Sequence, residues 1–151
     1  MALPADLAVV DLTPEQTYTI RRSVLRDGTP SDVVAFDGDQ APGTYHLGVR
    51  AETGLVAISS WMERRYPDLP AHAAHQLRGM ATVPEHRSHG LAMILLEAGT
   101  ARAAAAGSTV VWARARIDAL DFYERNGFET RGAQYTDLTT GLAHHDIVMF
   151  V

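Results

Sequence analysis

Apolar and polar positions along the chain predict secondary-structure elements in the order β-α-β-β-β-α-β-α-β-β. The first strand is expected within residues 5–12. Two extended runs flank a turn at 51–54, which predicts a hairpin over 44–61. After a proline-containing loop, residues 75–83 predict another strand.

The first helix should be capped by Thr13, followed by a proline at the first helical position, and should end at Leu25 or Arg26. Its apolar stripe is expected to comprise Ile20, Val24 and Leu25. Residues 27–43, rich in glycine, proline and acidic residues, predict a loop with at most a short extended segment at 33–36.

A second, longer helix begins near Leu91, and Gly107 is expected to end it. Its buried stripe is predicted to be Leu91, Ile94, Leu95, Ala98 and Ala101. A strand over 108–117 and a short helix over 118–126 follow. The remaining strands are predicted within 128–138 and 143–151.

These elements predict a mixed α/β (α+β) sheet with helices on its faces. The strand–helix–strand unit around residues 77–116 should be a right-handed parallel crossover. No repeat or linker divides the chain, so we expect a single domain over residues 1–151.

Composition narrows the function classes. Hydrophobic residues make up 46% and charged residues 21%, and the formal net charge of -5 argues against a general nucleic-acid binder. With no cysteines and no HExxH spacing among the seven histidines, no metal site is predicted. The beginning of the chain does not resemble a signal peptide, and no apolar run is long enough for a membrane helix. We therefore expect a cytoplasmic protein with no membrane partner.

The stretch "RSHGLA", residues 87–92, lies where the second helix begins. The first amides of a helix have no intrahelical partner and lie at the positive end of its dipole, so they can bind a phosphate or pyrophosphate. Gly90 would let a ligand approach the backbone closely, and Arg87 could add a charged contact. Ser88 could donate its hydroxyl or cap the helix, and His89 could present a ring N–H.

The spacing of Arg87, Gly90 and Ala92 resembles the pyrophosphate signature Gln/Arg-x-x-Gly-x-Gly/Ala of the GNAT superfamily, the acyl-CoA-dependent N-acyltransferases. The preceding "GMATVPEHR" is similar to the family's strand and lead-in, with Thr82 in the usual valine position. The resemblance implies that backbone groups from Met80 to Val83 bind the pantetheine amides and that residues 87–92, including Leu91, bind the pyrophosphate. It also implies a twisted, mostly antiparallel sheet of six to seven strands with a β-α-β unit for CoA.

A second stretch, "RIDALDFYERNGF", resembles the family segment Asn-x-x-Ala-x-x-Phe/Leu-Tyr-Glu-x-x-Gly-Phe. Arg116 stands where the family often has asparagine and could still reach the cofactor. Tyr123 matches the tyrosine that lies near the cofactor sulfur and is the expected proton donor. A backbone N–H among residues 81–83 is the expected oxyanion donor.

The residues that would bind the acceptor amine are less well defined by the sequence. No general base is evident: Glu52, His75 and the pair His144–His145 are candidates, and a water chain is an alternative. His75 and His145 are predicted to bind substrate, and only one member of the histidine pair can face inward on a strand. In the family the first helix borders the acceptor site, so its arginines Arg21, Arg22 and Arg26 could bind an acidic substrate or form a solvated surface. Arg22 and Arg26, four residues apart, would share a face.

The resemblance implies an N-acetyltransferase that transfers an acetyl group from acetyl-CoA to the amine of a small molecule or peptide. Because the asparagine and an evident base are missing, a catalytically inactive CoA-binding regulatory module is the alternative. A nucleotide-phosphate binder is a third hypothesis. Final strands in such folds often pair between subunits, so the sequence leaves open whether the chain forms a homodimer.

Overall fold

The computed structural model of the protein describes residues 4–151 and contains a seven-stranded sheet. The strands are β1 (Ala8–Leu12), β2 (Tyr45–Ala51), β3 (Gly54–Glu63), β4 (Ala74–Thr82), β5 (Val110–Arg116), β6 (Glu129–Thr136) and β7 (Ala143–Phe150). They lie in the order β1-β2-β3-β4-β5-β7-β6. Neighbours are antiparallel except β4 and β5, which run parallel. The predicted fold class and element order are confirmed.

The helical segments differ in regularity. The first, between β1 and β2, consists of a 3-10 turn (Pro14–Thr17), the α-helical turn α1 (Tyr18–Ile20) and a π-helical turn (Arg21–Leu25). The others are α2 (Leu91–Ala105) and α3 (Leu120–Arg125), which follow the 3-10 turns Pro84–His86 and Ile117–Ala119. Thr13 forms the expected cap with Gln16, each side chain bonding the other's backbone N–H.

Helices cover both faces of the sheet. Side chains of α2 and α3 pack in a core that includes Ala57 of β3. The first helical segment packs with Ile58, the next residue of the same strand. Adjacent residues on a strand point to opposite faces, so the two clusters lie on opposite sides.

The predicted α2 stripe is wrong at Ala101, which is exposed, and Ala98 is only half-buried. The buried residues are Leu91, Ile94, Leu95, Leu96, Gly99 and Ala103. Five of the eight residues 98–105 in the second half of α2 are alanine, so apolarity alone does not distinguish its faces there. Gly107 does end the helix: its N–H and that of Ser108 donate to the carbonyls of Ala104 and Ala103 in a Schellman motif.

The expected extended segment at 33–36 does not form a strand, and residues 27–43 connect the first helical segment to β2 as a loop. No helix among residues 4–151 is both long enough and apolar enough to span a membrane.

Gly99→Ala should destabilise the protein by about 1–3 kcal/mol, the usual cost of overpacking a core, although alanine is the better helix former. A Cβ at Gly99 would overlap the Trp61 ring. That ring is fully buried and its Nε1 donates to Ser59 Oγ at 2.9 Å, which limits its movement. Denaturant unfolding measures the change.

The matched control is Ala101→Leu, which adds bulk at an exposed position of the same helix and should change the unfolding free energy by less than about 0.5 kcal/mol. A Gly99→Ala protein as stable as the parent would contradict the packing of α2 on β3.

Candidate active site

The sheet opens between β4 and β5. The parallel pairing covers four residue pairs and ends at Leu77 opposite Ala113. Next to this point β4 has a bulge: Ile58 and Ser60 of β3 are two residues apart, but their partners Ala81 and Arg78 on β4 are three apart. Gly79, within the bulge, has a φ of +62°. A bulge bends its strand and redirects backbone groups. The strands part around a cavity of about 220 Å³.

The loop that enters α2 presents free backbone amides. Within residues 4–151, none of the N–H groups of residues 88–93 donates to another protein group, and the first bond of the helix runs from Ile94 N–H to Gly90 C=O at 3.2 Å. Ser88 and Gly90 both have left-handed φ values, +66° and +76°. No atom lies within 4 Å of a Cβ built at Gly90. These amides, at the positive end of a four-turn helix, fit a phosphate or pyrophosphate.

The side chains of this loop are placed as follows. Arg87 is exposed and its Nε donates to the Thr82 carbonyl at 3.3 Å. Ser88 does not cap α2, because the N-cap position is Gly90 and no side chain bonds there. His89 is exposed, whereas Leu91 is buried in the core; Ala92 is half-buried. The last two could meet a ligand through their backbone.

Four candidate residues lie at the free end of β4. Met80 lines the cavity. The Val83 N–H is engaged, because it donates to Val56 C=O at 2.9 Å. The backbone N–H of Ala81, which pairs with Ile58, also points toward β3. Since alternate residues of an antiparallel strand direct their backbone groups to opposite neighbours, the N–H of Thr82 points toward the open side.

Tyr123 reaches the same cavity from α3. Its side chain is only 7% exposed and lies edge-on to Phe122 and Phe128, with ring centroids 5.1 and 5.4 Å away. Burial raises the pKa of Tyr123 to about 12. Its hydroxyl therefore remains protonated at neutral pH.

Arg116 also lines the cavity, at the end of β5. Its guanidinium donates to the Leu25 carbonyl at the end of the first helical segment. The side chain thus joins β5 to that segment, a contact that the family pattern with asparagine at this position did not suggest.

The histidines are arranged differently from the prediction. His75, at the start of β4, is buried beside Tyr45 and its Nδ1 bonds Ser108 Oγ at 2.7 Å, away from the cavity. Burial lowers the pKa of His75. On β7, His144 lines the cavity, whereas His145 is directed to the other face of the strand. Neither predicted substrate histidine is therefore placed in this cavity, and the neighbouring His144 is.

A buried polar network that the sequence analysis missed supports one wall of the cavity. Arg21 is fully buried and donates to both carboxylate oxygens of Asp39 at 2.7 and 2.9 Å, and to Ser60 Oγ at 2.8 Å. Burial by itself would raise the pKa of Asp39, but the bonds from Arg21 and from the Phe36 N–H outweigh it and lower the pKa. The guanidinium of Arg21 lies 3.8 Å from the Phe36 ring centroid. The network fixes Phe36, which lines the cavity.

The π-helical turn also changes which arginines are neighbours. Arg26 N–H bonds Arg21 C=O, five residues earlier, so Arg21 and Arg26 share a face in place of the predicted pair Arg22 and Arg26. Both approach the Phe36 ring, and Arg22 is exposed.

Comparisons with known proteins identify the family of the chain. Residues 33–130 match the model of the acetyltransferase (GNAT) domain. The chain is 31% identical over 144 residues to the uncharacterized N-acetyltransferase YitI of Bacillus subtilis strain 168, covering 95% of each protein.

Solved structures share the fold. Escherichia coli ElaA superposes with a TM-score of 0.76 at 14% identity, over 95% of this chain and 99% of ElaA. An acyl-CoA N-acyltransferase from Pseudomonas aeruginosa gives a TM-score of 0.76 at 16% identity, with the same coverage. The chain belongs to the GNAT acetyltransferase family and is an acyltransferase.

Proposed function

We propose that the protein transfers an acetyl group from acetyl-CoA to the primary amine of a small molecule or peptide, with both substrates bound at once. The observation that carries the proposal is that the free amides of residues 88–93 and the open edge of β4 lie on one path, which leads to the cavity containing Tyr123.

The chain offers suitable groups for CoA along this path. The amides of residues 88–93 would hold the pyrophosphate, and the exposed Arg87 would add a charged contact. On β4, the backbone groups of Met80 and Thr82, which face the open side of the strand, would bond the pantetheine amides. When bound, CoA supplies a thioester whose acyl carbon is open to attack by an amine.

Two side chains would move protons. The amine nitrogen bonds to the acyl carbon, the carbon–sulfur bond breaks, and Tyr123 gives its proton to the departing sulfur. His144 Nδ1 lies 3.0 Å from the Leu142 carbonyl, which can only accept, so Nδ1 carries the hydrogen and Nε2 is free to accept a proton. His144 takes the amine proton, directly or through water.

Gly90→Asp should abolish CoA binding measured by calorimetry, because it places a carboxylate and a strained backbone where the pyrophosphate would lie. The control is Gly132→Asp: Gly132 has a similar φ of +72° and equally open surroundings, but lies on β6. It should bind CoA as the parent does. Unchanged affinity in Gly90→Asp would refute the assigned cofactor site.

Tyr123→Phe should lower kcat by about 100-fold, the lower end for loss of a general acid, and leave the Kd for CoA unchanged. Since the pKa of Tyr123 is about 12, the parent should show no loss of activity from its ionisation between pH 7 and 10. Tyr18→Phe, on the first helical segment, is the control. Equal kcat in Tyr123→Phe and the parent would remove this tyrosine from the mechanism.

His144→Gln should lower kcat/KM at pH 7 by about 100-fold, because glutamine cannot accept the amine proton. His145→Gln, altered on the opposite face of β7, should keep the activity of the parent. If instead His145→Gln alone lowers kcat/KM, His144 is not the base.

CoA binding with no thioester consumption for any amine would favour the inactive binding module over the acetyltransferase.

A further inference from the structure

Four arginines line the cavity: Arg26, Arg78, Arg114 and Arg116. Asp137 is the one carboxylate in the lining, so four positive groups against one negative group give a formal charge of +3. The chain as a whole carries -5. This local reversal of sign focuses positive potential inside a concave site.

The four guanidinium groups have no acidic partner among residues 4–151: each carboxylate there is more than 4.0 Å away. Arg26 and Arg116 donate to the backbone carbonyls of Val33 and Leu25. The guanidinium of Arg114 donates no hydrogen bond within the described chain. These groups therefore keep donors available for a ligand.

Arg78 is held but not neutralised. Its guanidinium lies 4.5 Å from the Phe36 ring centroid and makes a 3.3 Å bond to the Asp37 carbonyl. Burial, and then the nearby charges of Arg64 and Arg21, lower its pKa. A desolvated cation among other cations gains most from a bound anion.

These arginines lie on the acceptor side of the sheet. Leu77 and Ala113 belong to the core under α2 and α3, so the following residues on each strand, Arg78 and Arg114, point to the opposite face. The free amides of residues 88–93 lie where α2 begins, on the other face. An anion held by Arg78 and Arg114 would thus be separate from one held by these amides.

We propose that the acceptor is a small amine that carries a carboxylate close to its amino group, as an α-amino acid does, and that Arg78 and Arg114 bind this carboxylate. The inference rests on the proposed acetyl transfer. A guanidinium fork matches a planar carboxylate with two parallel bonds. The cavity of about 220 Å³ is smaller than the roughly 300 Å³ at which drug-sized sites begin, and suits a small acceptor.

The same charges would assist the reaction. Nearby cations disfavour a protonated amine, so they lower the pKa of the bound amino group and increase its neutral, attacking form. Binding of the carboxylate compensates for the repulsion that the ammonium would meet on entry.

The test compares each standard α-amino acid with its own α-carboxamide, which keeps the amine and the side chain but removes the negative charge. Acetyl transfer is followed by release of CoA. The preferred acid should exceed its carboxamide in kcat/KM by about tenfold or more, the range for a hydrogen bond to a charged group. Arg114→Gln should abolish this preference by raising KM for the acid, with the calorimetric Kd for CoA unchanged.

Arg125→Gln is the matched control, because Arg125 is exposed on α3 and outside the cavity; it should keep the preference. Equal use of acid and carboxamide would overturn the inference and leave acetyl transfer standing. Weaker CoA binding in Arg114→Gln would assign the arginine to the cofactor and also overturn it. Transfer to neither member of any pair would overturn it too, while the CoA titration with Gly90→Asp decides separately on the cofactor site.

Discussion

The separation of β4 from β5 is the constraint on which the rest of the site depends. A parallel pair that ended its hydrogen bonding in an apolar core would leave costly unsatisfied backbone groups. Here the strands part where the sheet meets solvent, and the bulge at Gly79 turns β4 away after four residue pairs. The unpaired edge is thus open, and Met80 on it lines the same cavity as Tyr123.

The cavity wall that contains Phe36 is formed by the loop of residues 27–43, which has no regular secondary structure. Arg21 fixes the position of this loop. Its guanidinium binds Asp39 and Ser60 and stacks on Phe36, and so joins the first helical segment, the loop and β3. A buried ion pair is weak evidence for net stability, but loss of one partner would leave an uncompensated buried charge. The pair therefore fixes the position of Phe36 at the cavity, and with it Arg26 and Arg78, whose guanidinium groups lie over the same ring.

The elements could be predicted because short-range patterns specify them: alternating strands and a capped first helix. The proposed cofactor residues likewise follow from two motifs carried by consecutive residues. The cavity as a whole could not be predicted. Its residues come from segments distant in sequence, such as Phe36, Arg78 and His144, and only the folded sheet brings them together. The choice between His144 and His145 depended on strand register, where one residue of shift exchanges the faces. The π-helical turn, which pairs Arg21 with Arg26, breaks the spacing that a regular helix would have.

Only some of the residues that line the cavity lie within the range that matches the family model. Residues 33–130 include the loop before α2, the open edge of β4 and Tyr123, which form the proposed cofactor site. Arg26, Asp137 and His144 lie outside that range, although they line the same cavity. Arg78 and Arg114 fall inside it, but they point to the face opposite α2. The facing wall thus combines residues from inside and outside the matched range. Under the proposed function, its charged side chains can change without altering the motif residues of the donor site. The positive charge of that wall would then limit which amine can enter.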